Sequence, residues 1–197
     1  MEPPLDIDPK RTALLVMDCQ ESTMPFLPIG ERERVLRAIQ QVASECRRAG
    51  LLVIYVYVQF RRGYPEISER NAVFMAIKKD GRLQEGEPGT QICSQIAPQP
   101  GDIVLTKKRI SAFAGSDLEV VLRSKGIDTL VLCGVSSTGC VESTARFAVD
   151  MDYRVIVLAD SCADLKGVET HQIAMKVLLP RIAIVCSNGV FLGVLRS

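Results

Sequence analysis

The sequence predicts an α/β fold, a single-domain three-layer α/β/α arrangement around a six-stranded parallel sheet. Three observations carry that prediction. Six short runs rich in Val, Ile and Leu recur along the chain, each of a length that suits a strand. Their apolar character is nearly continuous rather than alternating, as expected of strands covered on both faces. Segments with helical spacing separate most of them, and right-handed crossovers then place helices on both sides of one sheet.

The elements follow in order. TALLVMD (12–18) reads as a buried strand ended by an acid. Residues 31–49 place Val35, Leu36, Ile39, Val42, Ala43 and Cys46 at helical spacing, and Gly50 stops that helix. LLVIYVYV (51–58), β-branched and aromatic, is a second strand. The segment 59–101 is long, with a helix expected near 68–79 and then Gly- and Pro-rich stretches; a connection of this kind is often functional, here as a substrate-facing cover. DIVLTKK (102–108) is the third strand. The helix 116–125 follows, with Ser116 and Glu119 at capping-box spacing and Gly126 at its stop. TLVLCGV (129–135) is the fourth strand and 140–150 its helix. RVIVLAD (154–160), a helix over 168–179 and RIAIVC (181–186) complete the pattern.

Bulk properties narrow the function classes. A chain of 197 residues, 47% hydrophobic and 24% charged, fits one globular domain, taken as 1–197. Net charge is +1 with no basic stripe, so nucleic acid is not an expected partner. No apolar run approaches the length of a membrane span, so no membrane partner is expected. The start MEPPLDIDPKR lacks the order of a signal peptide, and the expected location is cytoplasmic. Seven scattered cysteines without a Cys-x-x-Cys spacing argue against a disulfide framework and a thiolate zinc site.

In such sheets, sites lie outside the carboxyl ends of the strands. The first strand ends in Asp18, the third in Lys107 and Lys108, and the fourth in Gly134 to Cys140; the fifth is followed by Ser161 and Cys162. An acid, a base and a thiol therefore converge on one edge. Cys140 follows the small residues Ser137, Thr138 and Gly139 and opens a helix. The helix dipole and a neighbouring cation, Lys107, both favour its thiolate. Cys133 lies inside the strand and reads as core. The lone histidine, His171, falls within a helix and reads as structural, which leaves Asp18 as the general base.

These residues carry a resemblance. LLVMDCQ (14–20), KKRISAFAGSDLEVVLRSKGI (107–127), LVLCGVSSTGCVESTARFAVDMDYRV (130–155) and VLADSCAD (157–164), in that order, resemble the isochorismatase-like cysteine hydrolases, a family that includes nicotinamidase and N-carbamoylsarcosine amidohydrolase. The resemblance implies an Asp18, Lys107 and Cys140 triad and a cis peptide between Val135 and Ser136. It also implies oxyanion donors in the N–H groups of Ser136 and Cys140, and a homodimer or homotetramer. Metal-dependent members carry an Asp and histidines after the second strand. Here that stretch is VQFRRGYPE (58–66), without histidine, so neither a metal nor any other cofactor is expected. Gln20, Phe26, Arg61 and Phe113 are expected to touch a small-molecule substrate, with Arg61 or Arg62 suited to a substrate carboxylate. The expected reaction is hydrolysis of an amide or ureido C–N bond through a thioester. The rivals are vinyl-ether hydrolysis of the isochorismatase type and a non-catalytic binding module; a nucleotide-binding domain is disfavoured because no glycine-rich loop follows the first strand.

Overall fold

The computed structural model describes residues 5–196. Its strands are β1 (Thr12–Met17), β2 (Leu52–Val58), β3 (Ile103–Lys107), β4 (Thr129–Val135), β5 (Arg154–Ala163) and β6 (Ile184–Cys186). All pair in parallel, in the order β3-β2-β1-β4-β5-β6. The fold is therefore the expected three-layer α/β class. Every residue of β1 and β4 is buried, because these two strands occupy the centre of the sheet. The chain leaves β1 toward one edge and returns to β4 on its other side, so a crevice opens between their carboxyl ends.

The helices are α1 (Ile29–Arg48), α2 (Ala72–Lys79), α3 (Leu118–Ser124), α4 (Glu142–Asp150), α5 (Val168–Ile173) and α6 (Asn188–Leu195). Right-handed crossovers put α1 on one face and α3, α4 and α5 on the other, and α6 returns to pack beside α1. The buried stripe of α1 is the expected set Val35, Leu36, Ile39, Val42, Ala43 and Cys46.

Several boundaries differ from the sequence reading. The helix expected from residue 68 begins at Ala72, because Asn71 caps it by accepting from the Phe74 N–H at 3.3 Å. The capping box at Ser116 and Glu119 does not form. Ser116 Oγ instead donates to the Ala112 carbonyl at 2.5 Å and accepts from the Leu118 N–H at 3.3 Å, and α3 starts after Asp117. β5 runs on to Ala163, past a register shift against β4 between Leu132 and Gly134, so Ser161 and Cys162 are strand residues. The helix expected over 168–179 breaks into α5, a π-turn (Ala174–Leu178) and a 3-10 turn (Leu179–Arg181), which shortens β6 to three residues. Sequence reasoning also missed α6. Ser187 caps it by accepting from the Val190 N–H, and two glycines, Gly189 and Gly193, hide its helical character.

The segment 59–101 forms its own small core of Phe60, Tyr64, Ile67, Phe74 and Leu83 around the end of β2. Backbone bonds from Glu21 to Gln91, Ser22 to Gly89 and Cys93 to Cys19, each 2.9 Å, stitch it to the loop after β1. It thus stands at the mouth of the crevice.

Candidate active site

Three side chains from three strand ends meet at the floor of that crevice. Asp18 follows β1 directly, in the left-handed region (φ 56°), with its N–H donated to the Val56 carbonyl at 3.0 Å. Lys107 is the last residue of β3 and is fully buried. Its ammonium lies 2.7 Å from Asp18 Oδ2, donates to Cys140 Sγ at 3.2 Å and donates to the Ile110 carbonyl at 2.5 Å. All three ammonium protons therefore have acceptors. The second Asp18 oxygen, Oδ1, is buried and has no hydrogen-bond partner.

Cys140 does not open α4 as its first residue. It is the fourth residue of a π-helical turn, Ser137–Val141, that precedes α4. The Gly139 and Val141 N–H groups both turn back to the Ser136 carbonyl at 3.1 Å. The Val135–Ser136 peptide is cis. Just before it, Gly134 (φ 125°) lies so close to β1 that a Cβ there would sit 2.1 Å from the Met17 carbonyl oxygen. Only glycine permits this approach, which brings the nucleophile turn against the end of β1.

The charge state differs from the sequence expectation in one respect. Burial, and next the Asp18 carboxylate, push the Cys140 thiol up to about 12, against the opposing pull of Lys107. Burial and the Asp18 carboxylate thus favour the thiol at this sulfur, and Lys107 favours the thiolate. Burial also raises the Asp18 carboxyl above its ordinary value, while Lys107 pulls it down. Burial disfavours the Lys107 ammonium, but Asp18 and then Cys140 outweigh it and hold its pKa above the usual lysine value. The floor is an ion pair beside a buried sulfur.

Two supporting residues went unmarked in the sequence. Asp164, just past β5, is almost fully buried. One of its oxygens accepts from Ser136 Oγ, Thr138 N–H and Thr138 Oγ, each at 2.7 Å, and the other accepts from the Lys166 N–H at 2.9 Å. These bonds hold its carboxyl below the usual range despite burial. Thr144, one turn beyond Cys140, accepts from the Ala112 N–H at 2.9 Å and so ties the loop after β3 to α4. The apolar runs that reveal strands carry no signal for either residue. His171 stands behind the turn, its Nδ1 2.8 Å from Ser137 Oγ, and does not line the crevice.

The crevice has a volume of about 410 Å³, and its wall includes Asp18, Lys107, Ser136 and Cys140. Gln20 and Phe26 line it as well. The Gln20 amide is committed to backbone, donating to the Val58 and Thr90 carbonyls at 2.9 and 2.8 Å. Two expected contacts lie elsewhere. Arg61 is exposed and pairs with Glu66 at 2.7 Å, and it does not line the crevice. Phe113 is core, stacked on Phe147 at 5.0 Å and tilted against Tyr153 at 5.9 Å. In their place the wall carries Arg82, Arg109 and the apolar Val73, Phe74, Ile77 and Leu83. Among the described residues no three His, Cys, Asp or Glu side chains converge as metal ligands, and no helix is long and apolar enough to cross a membrane.

Known proteins are similar to this chain. The isochorismatase domain model matches residues 12–189. The uncharacterized isochorismatase family protein YecD of Escherichia coli O157:H7 is 34% identical, over 91% of this chain and 93% of its own. A cysteine hydrolase from Pseudomonas syringae superposes with a TM-score of 0.86 at 26% identity, covering 100% of this chain and 99% of its own. N-carbamoylsarcosine amidase from Thermoplasma acidophilum superposes with a TM-score of 0.73 at 30% identity, covering 90% and 96%. The chain belongs to the isochorismatase family and is an isochorismatase-like cysteine hydrolase.

Proposed function

We propose that the protein hydrolyses an amide or ureido C–N bond of a small molecule through a Cys140 thioester, with Asp18 as base and Lys107 as the fixed cation. The observation that carries the reading is the buried Lys107 ammonium, held 2.7 Å from Asp18 and 3.2 Å from Cys140 Sγ at the crevice floor. The likeness to an N-carbamoylsarcosine amidase supports a C–N bond as the target.

A thiol at about 12 is almost wholly protonated at neutral pH, so attack requires a base at the sulfur. Asp18 supplies it, with Oδ1 free to take the proton. Sulfur adds to the carbonyl carbon, and negative charge moves to the carbonyl oxygen, which the N–H groups of Ser136 and Cys140 receive. The C–N bond then breaks, and the amine leaves with the proton held by Asp18. A water gives its proton to Asp18 and adds to the thioester. The C–S bond breaks, the acid is released and the sulfur is reprotonated. Lys107 keeps its proton throughout and steadies each charged state of its two neighbours.

The test is a panel of primary amides, ureido acids and carbamoyl amino acids with ammonia release as readout, alongside intact-mass detection of an acyl adduct. Wild type should release ammonia, and Cys140→Ala should lose both activity and adduct. No ammonia from any member of the panel, with hydrolysis of a vinyl ether kept by Cys140→Ala and lost in Asp18→Asn, would instead favour ether hydrolysis.

A further inference from the structure

We propose that the substrate carries a carboxylate on an apolar body and that Arg109 receives this carboxylate. The scissile bond rests on the C–N reading above; the anion subsite rests on the crevice wall.

Arg109 stands two residues past Lys107 and lines the same crevice. Its guanidinium donates to the Lys108 carbonyl at 2.6 Å and the Glu66 carbonyl at 3.0 Å, and lies 5.7 Å from the Phe74 ring centre. These contacts fix the group without neutralising it, and among the described residues no carboxylate pairs with it. A guanidinium has five N–H donors, so donors remain beyond these two bonds. Arg82, across the wall, already pairs with Asp80 at 3.3 Å and lies over Phe26 at 5.2 Å. The wall thus holds three cations, Arg82, Lys107 and Arg109, against one carboxylate, Asp18, which is spent on Lys107.

An uncompensated guanidinium in an apolar-walled cleft favours a bound anion, because low-dielectric walls focus its field. Its planar fork suits a carboxylate best. Most of the remaining wall, Val73, Phe74, Ile77 and Leu83 among it, is apolar and buries an aliphatic or aromatic body. The volume of about 410 Å³ admits more than a two- or three-carbon acid. A ureido or amido acid with a branched or aromatic side chain meets all of these conditions.

The experiment compares ammonia release from N-carbamoylphenylalanine with that from phenethylurea, the same compound without its carboxylate. It uses wild type, Arg109→Gln and Arg109→Lys. The acid should be preferred in kcat/KM, and Arg109→Gln should cut the acid-to-neutral ratio by about tenfold to hundredfold, mainly through KM, with Arg109→Lys between. A second arm needs neither hydrolysis nor a variant. Phenylpropanoate should protect Cys140 of wild type from iodoacetamide, followed by intact mass, at concentrations where phenylpropanol does not. Hydrolysis of both ureas without preference, and with no effect of Arg109→Gln on the ratio, overturns the subsite while the C–N reading stands. Failure to hydrolyse either urea, with selective protection by the acid, overturns the C–N reading for this class and upholds the subsite. Equal protection by acid and alcohol overturns the subsite whatever the kinetics.

Discussion

Replacing Lys107 by Met probes the ion pair on which the site depends. Lys107 is fully buried and the Asp18 side chain is 13% exposed, with 2.7 Å between their charges. At an effective dielectric near 20 the gross attraction is about 6 kcal/mol. Desolvation offsets much of that in the intact pair, but removing one partner strands the other, a change that typically costs about 3–5 kcal/mol. Met preserves most of the volume, so the cavity contribution is small. The sign with pH follows from Asp18. Its carboxyl already titrates above its ordinary value, and loss of Lys107, the strongest pull downward, raises it further. A carboxyl whose folded pKa exceeds its unfolded one stabilises the fold below the unfolded pKa, and that contribution is lost as pH rises through the folded pKa. The deficit of Lys107→Met relative to wild type should therefore be largest at pH 7 and shrink at pH 5. The double variant Asp18→Asn with Lys107→Met should recover most of the loss. Urea unfolding followed by far-UV circular dichroism at both pH values measures this. A single variant within about 1 kcal/mol of wild type at pH 7, or a double variant no more stable than the single, would refute the reasoning.

Further outcomes follow from neighbouring features. Asp18→Asn should lower kcat/KM by about 10²- to 10⁴-fold. In wild type, activity should be lost as pH falls through the raised Asp18 value, giving an acid limb above that of an ordinary carboxylate; a limb at or below the ordinary value counts against Asp18 as base. Gly134→Ala places a Cβ 2.1 Å from the Met17 carbonyl and should cost several kcal/mol or prevent soluble expression. Gly193→Ala, in open space within α6, should instead raise the melting temperature slightly. Asp164→Asn keeps an acceptor but gives up charge-assisted bonds to Ser136 and Thr138. It should lower kcat about tenfold to hundredfold with little change in KM, read from steady-state kinetics.

Much of this was legible in the sequence because the sheet is regular. The central strands are covered on both faces and so are continuously apolar, the edge strands β3 and β6 still show as short apolar runs, and the strand ends listed Asp18, Lys107 and Cys140. What escaped was set by contacts between segments distant in sequence. Arg61 and Arg109 are both arginines just beyond strand ends, and only the position of Glu66 decides that the first pairs at the surface, while the second, which donates to the Glu66 carbonyl, lines the crevice. Asp164 sits in a motif that could be quoted, yet its role depends on the turn after β4 folding toward it. The upward push on the Cys140 thiol was hidden for a similar reason. A helix start and a neighbouring lysine argue for thiolate, but complete burial beside Asp18 outweighs both.

The site is consequently assembled from two structures with different constraints. The floor of the crevice belongs to the main sheet: Asp18 and Cys140 are brought together by the contact of Gly134 with Met17, and Lys107 by the pairing of β3 with β2. Little there can change without separating the three groups. The opposite wall belongs to 59–101, which packs its own core and joins the floor through backbone bonds at Cys19, Glu21 and Ser22. Side chains such as Val73, Ile77 and Arg82 face the crevice from that separate unit. Backbone stitching constrains the path of the segment rather than the identity of those side chains. Substitutions at Val73 or Ile77 should therefore move KM between substrates while leaving the Asp18, Lys107 and Cys140 geometry intact, so one fixed floor can serve different apolar bodies.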